Sequence, residues 1–217
     1  MKQEPFDRSK HVYRNDTLVE LVKDAVRFFN GTPVHTLPPP EKFLGTGVYA
    51  LYYTGKNPLY TKYAEINRLE YSAAIYVGKA VPKGWRQSRS SDNSSAQSNE
   101  LFGRLREHSR NIKTVSASGL SLEDFRCRFV ICEDTGSDMI GTIEAALIKL
   151  NRPLWNSSLD GFGNHTPGRG RFRQARSDWD VIHPGRAWAV KCKGQPRSQS
   201  DILKDIAAHV GSLPTKQ

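Results

Sequence analysis

GVYALYY at Gly47–Tyr53 and AIYVGKA at Ala74–Ala80 decide the fold. Both runs are rich in β-branched and aromatic residues, which fit a pleated, buried surface, so each is expected to be a strand. The segment between them has room for a short helix at 60–68. A third strand is expected at 125–132, where Phe125, Cys127, Phe129 and Ile131 alternate with Arg126 and Arg128.

Helical spacing surrounds this sheet. Residues 99–115 put Leu101, Leu105 and Ile112 on one stripe, and 17–30 carry apolar residues at 18, 21, 22, 25, 28 and 29. For that first helix Thr17 and Glu20 read as a capping box. A helix capped by Ser137 is expected to run to about 150 and stop before Pro153, and a last one, capped by Ser200, to span 201–210. The proline-rich stretch PVHTLPPPEKF reads as an extended connector. Such an order predicts an α/β (α+β) fold: a small core sheet flanked by helices. The expected organisation is an N-terminal extension at 1–44, a core at 45–156 with an inserted Ser- and Asn-rich basic loop at 84–99, and a C-terminal extension at 157–217.

Charge narrows the partners. The chain has 217 residues and a formal charge of +10. Residues 83–113 hold seven Lys/Arg against three Asp/Glu, residues 169–197 hold eight against two, and the rest balances. Two concentrated basic segments suit a polyanion, although a solvated basic surface would look the same. No stretch approaches the roughly 18 apolar residues of a membrane span, and the first residues lack a secretory apolar run, so a soluble cytoplasmic protein is expected. Cys127, Cys132 and Cys192 form no C-x-x-C pair and read as plain thiols.

Single residues now stand out. Tyr49 lies in Gly47-Val48-Tyr49, and Tyr76 in Tyr76-Val77-Gly78, 27 residues on. Arg104 and His108 are spaced i, i+4 and share a helix face. Glu144 interrupts an apolar segment, where a carboxylate is unfavourable unless paired or metal-bound. Asn156 follows shortly after Pro153.

The set resembles the GIY-YIG nucleases, with Val48 and Val77 in place of isoleucines. GVYALYYTG, IYVGKAVPKGWRQSR, GSDMIGTIEAALIK, PLWN and GFGNHTPG together look like the GIY-YIG restriction endonucleases that cut CCGCGG. The resemblance implies a site-specific endonuclease acting on double-stranded DNA as a homodimer, leaving 5′-phosphate ends. It also implies a cognate methyltransferase in the same host. Glu144 is then the metal ligand for one Mg²⁺ per active site, with Mn²⁺ able to substitute, and water and phosphate completing its shell. Arg104 would clamp the scissile phosphate. By the same analogy Tyr49 is the general base and Tyr76 positions water or phosphate.

His108 could accept the proton from Tyr49 or be the base itself, and the residues alone do not rank these options. Asn156 would orient Glu144 or a phosphate, and Lys79 would lower a tyrosine pKa. Arg86, Arg89, His165, Arg169, Arg171 and Arg173 are candidate DNA contacts. Two alternatives remain at this point: a GIY-YIG homing or repair endonuclease, and a non-catalytic nucleic-acid-binding protein. The first normally carries a separate DNA-binding module, and no zinc or helix-turn-helix pattern follows the core. The second leaves Glu144 and the paired tyrosine motifs unexplained.

Overall fold

The computed structural model describes residues 6–82, 85, 97–168 and 170–214. The elements run α1 (Asp16–Gly31), β1 (Val34–Thr36), β2 (Gly47–Tyr53), α2 (Thr61–Leu69), β3 (Ala74–Ala80) and α3 (Glu100–Thr114). They continue with β4 (Phe125–Ile131), α4 (Ile140–Asn151), α5 (Leu154–Ser157), α6 (Asp178–Ile182) and α7 (Gln199–Gly211). The strands form one antiparallel sheet in the order β1-β4-β2-β3. The α/β expectation holds.

Helices cover both faces of the sheet, so every residue of β2 is buried. On one face Tyr49, Leu51, Tyr53, Ile75 and Tyr76 pack with residues of α2, α3, α5, α6 and α7. On the other, Val48, Ala50, Tyr52 and Val77 meet Val26 and Phe29 of α1 and Ile140, Ile143 and Leu147 of α4. Burial from both sides explains why β2 reads as a continuous apolar run.

The β2–β3 ladder pairs Leu51 with Tyr76 but Tyr52 with Ala74, leaving Ile75 as an extra residue. This bulge turns Ile75 and Tyr76 into the same core, and bulges of this kind re-aim side chains. The C-terminal stretch is part of that core, to which it contributes Leu159, Phe162, Trp179, Ile182, Ile202 and Ile206.

Several local expectations change. The α1 cap is Asn15, whose side chain accepts from the Thr17 and Leu18 amides, and Glu20 pairs with Lys23 at 2.8 Å instead of closing a capping box. Ser137 caps nothing: it lies in a 3-10 stretch, Asp134–Met139, that leads into α4. Ser198, not Ser200, accepts from the Asp201 amide at 3.1 Å and starts α7. The extended connector contains β1, an edge strand on β4. No helix among the described residues is long and apolar enough to cross a membrane.

Candidate active site

The register of β2 on β3 builds the floor of the site. Tyr49 lies opposite Gly78, and the tyrosine ring fills the space a side chain there would need. A Cβ on Gly78 would stand 2.5 Å from the Tyr49 hydroxyl and 3.0 Å from the Tyr76 ring. Glycine in the second motif is therefore a packing requirement of tyrosine in the first.

α3 closes the pair from one side. Its buried face presents His108, 1% exposed, whose Nε2 lies 2.6 Å from the Tyr49 hydroxyl. Burial pushes the Tyr49 phenol well above its ordinary value, aided by neighbouring Tyr76 and opposed by the Arg104 charge. Burial also drives His108 well below 6.5, with Arg104, His165 and Arg186 adding to the effect. The imidazole is thus neutral, and Nε2 accepts from the phenol. Tyr76 is likewise raised, first by burial, with Arg104 lowering it and Glu144 raising it. Arg104 lies one turn before His108, as the i, i+4 spacing requires.

Glu144 projects from α4, where its Oε2 meets Lys79 Nζ at 2.6 Å. The glutamate side chain is only 18% exposed, so the ion pair answers the cost of its place among apolar neighbours. Lys79, expected to lower a tyrosine pKa, turns its ammonium to Glu144, and Arg104 is the cation that opposes the rise at both tyrosines. Asn156 also takes a different position. Its Oδ1 accepts from the Val77 amide at 2.7 Å, and its Nδ2 donates to the Val77 carbonyl at 2.8 Å. Both ends of the side-chain amide thereby do what a neighbouring strand would do for edge strand β3. Asn156 fixes the backbone between Tyr76 and Gly78 and makes no hydrogen bond to Glu144 among the described residues.

The glycine-rich stretch after α5 forms the remaining wall. Phe162 stacks on His108 with ring centroids 4.6 Å apart, and a Cβ on Gly163 would collide with the Tyr76 hydroxyl. Arg186, 3% exposed, makes a two-pronged ion pair with Asp180 and donates to the carbonyls of Gly161, Phe162 and Asn164. A family model described as the Eco29kI GIY-YIG domain matches residues 41–210. The chain belongs to that family. No curated protein matches it.

As an Eco29kI-type GIY-YIG nuclease it acts on DNA, and the match takes in both the strand pair and the C-terminal wall. The structure joins Tyr49, Tyr76, Arg104 and His108 where α3 meets β2 and β3, while Lys79 and Glu144 pair where α4 meets β3 and Asn156 holds the β3 backbone. His165 joins them beside Arg104, 2.8 Å away, instead of standing apart with the outward arginines. Arg171 and Arg173 are exposed on the following loop, while Arg86, Arg89 and Arg169 lie outside the described residues. The basic segments are not wholly free for a polyanion: Arg186 is buried, and Arg197 bridges Asp178 and Asp205 at 2.6 Å each.

The residues that the sequence left unmarked are Glu107, Phe162, Gly163 and Arg186. For Arg186 a signal existed. Trp179 and Trp188 flank it in the chain, and both rings lie 4.7 Å from its guanidinium carbon.

Proposed function

We propose that the protein is a type II restriction endonuclease that cuts both strands of a palindrome as a homodimer. CCGCGG is the target suggested by the resemblance. Cleavage is Mg²⁺-dependent and leaves 5′-phosphate ends, in a cytoplasm where a companion methyltransferase protects the host DNA. The observation that carries the reading is the buried Tyr49–His108 hydrogen bond at 2.6 Å with the Tyr76 ring against the imidazole, inside the matched nuclease domain.

The residues fit a single hard cation. Among the described residues no three His, Cys, Asp or Glu side chains converge as a protein cage. Glu144 offers a carboxylate whose Oε1 has no hydrogen bond among those residues, as suits an ion that takes its other ligands from water and phosphate. When bound, the ion would supply charge neutralisation at the phosphate.

The chain's own groups do the rest. Arg104 holds the phosphate with its planar donors and aims the scissile bond at the tyrosines. Tyr49 takes the proton of the attacking water as its own passes to His108 Nε2, already 2.6 Å away, so the phenol stays neutral and the added positive charge rests on the imidazole. Tyr76 orients the water or the phosphate.

Leu159, Phe162, Trp179, Ile182, Ile202 and Ile206 pack into the nuclease core, and the restriction-type family match runs through them to residue 210, which favours this reading over a homing or repair enzyme. Exposed Leu18, Val19, Leu21 and Phe28 on α1 suit a dimer contact. Plasmid digestion with and without Mg²⁺, followed by end mapping, tests the reading. Discrete fragments with one repeated terminal sequence and 5′-phosphates are expected. Metal-independent or random cutting would overturn it.

A further inference from the structure

A closed ring of polar contacts joins Arg104 Nη1, Glu107 and His165. Arg104 Nη1 donates to Glu107 Oε2 at 2.6 Å and to His165 Nε2 at 2.8 Å. His165 Nδ1 lies 2.9 Å from Glu107 Oε1. In the tautomer whose Nδ1–H donates to the carboxylate, bare Nε2 accepts from the guanidinium, and the 3.4 Å approach of Arg104 Nη1 to Nδ1 is then a contact without a hydrogen bond.

Glu107 is one turn along α3 from Arg104, but His165 comes from the glycine-rich loop, 61 residues away. The loop is anchored behind the ring. Arg186 grips its carbonyls, and Phe162 rests on the His108 imidazole. His165 is thus delivered to Arg104 by a fixed support, although its own side chain is 63% exposed.

Magnitudes separate two uses of such a ring. Hydrogen bonds made by a side chain as exposed as His165 contribute little to stability, so holding the loop down is a poor account of them. Aim matters far more, because a misplacement of about 1 Å at a reacting centre can cost about a hundredfold in rate.

We propose that Glu107 and His165 are positioning residues that set the direction of the Arg104 guanidinium toward the scissile phosphate. The loop at 160–168 then completes the active site and does not read bases through His165. The proposal rests on the reading of Arg104 as phosphate clamp.

The experiment uses the full chain and a duplex carrying its mapped cleavage site. Single-turnover rates at saturating enzyme in Mg²⁺ are measured beside equilibrium binding in Ca²⁺. Arg104→Ala should be almost inactive, and His165→Ala should slow cleavage about ten- to hundredfold with little change in binding. His165→Gln keeps one donor and one acceptor and should recover most of the rate. Glu107→Ala combined with His165→Ala should be no slower than the slower single variant, since both act through one group. Weakened binding by His165→Ala with an unchanged saturated rate would make it a DNA contact and overturn the proposal, as would no effect on either measure. Wild-type cleavage by Arg104→Ala would remove the clamp reading itself, and the positioning role with it.

Discussion

The Tyr49 hydroxyl and His108 Nε2 lie 2.6 Å apart in a pocket closed by the Tyr76 and Phe162 rings. His108 therefore reaches a substrate only through Tyr49. We expect Tyr49→Phe to lose about 10²–10⁴-fold in single-turnover cleavage while keeping DNA affinity. On the proposed proton path through Tyr49, His108→Ala should lose a similar factor. Near-normal cutting by His108→Ala would take the histidine out of that path.

Two glycines are expected to matter for different reasons. Gly78→Ala puts a methyl group 2.5 Å from the Tyr49 hydroxyl and 2.6 Å from its Cζ, inside a fully packed sheet. Activity should fall, with stability lowered by about 1–3 kcal/mol. Gly163→Ala meets the hydroxyl end of the Tyr76 side chain from a loop and no backbone, so cleavage should drop with a smaller loss of stability than Gly78→Ala causes. Denaturant melts and cleavage rates on both variants separate the cases.

Much of this site is legible in the sequence, and what is not has a physical reason. β2, β3 and α3 announce themselves because burial on whole faces leaves a pattern in neighbouring residues. β1 is only three residues long, and its pairing with β4 links Val34 to Arg128 across the chain, beyond any local pattern. Asn156 stands out as a candidate, but its partner Val77 lies 79 residues away, so the strand-capping role emerges only in the folded chain. Glu107, three residues after Arg104, looks like an ordinary surface helix pair until His165 arrives beside it.

DNA affinity should depend steeply on salt, and unevenly on the arginines. Removing Arg171 and Arg173 together should reduce the slope of log K against log[salt] by roughly 0.9 for each phosphate they neutralise. Arg197→Ala should leave the slope nearly unchanged, since its guanidinium already bridges Asp178 and Asp205. Titrations across a range of salt concentrations would show it. A larger effect from Arg197 than from the exposed pair would reassign the DNA face.

Acid should destabilise the fold through its buried histidines. His183 lies between the Tyr60 hydroxyl and Ser118 Oγ, and burial pushes its pKa from 6.5 down to about 3. The unfolded chain takes up that proton near 6.5 and the folded chain does not. Stability is therefore complete above about 6.5 and falls by about 1.4 kcal/mol per pH unit for this group as the pH drops. His108, also depressed, acts in the same direction. Denaturant melts on either side of about pH 6.5 should show the loss, and His183→Gln should flatten it by about one proton. An unaltered slope would mean that the native imidazole is already charged.

The central claim is that Glu144 serves the chemistry and not the binding of DNA. Glu144→Gln keeps the size and polarity of the side chain but removes the charge that would attract a divalent ion and that now pairs with Lys79. Single-turnover cleavage in Mg²⁺ should collapse, by the several kcal/mol that metal stabilisation of a phosphoryl transition state supplies. Affinity for the same duplex should hold or rise, since a negative group has left the neighbourhood of the phosphates. Substantial cutting by Glu144→Gln in Mg²⁺ would contradict the account.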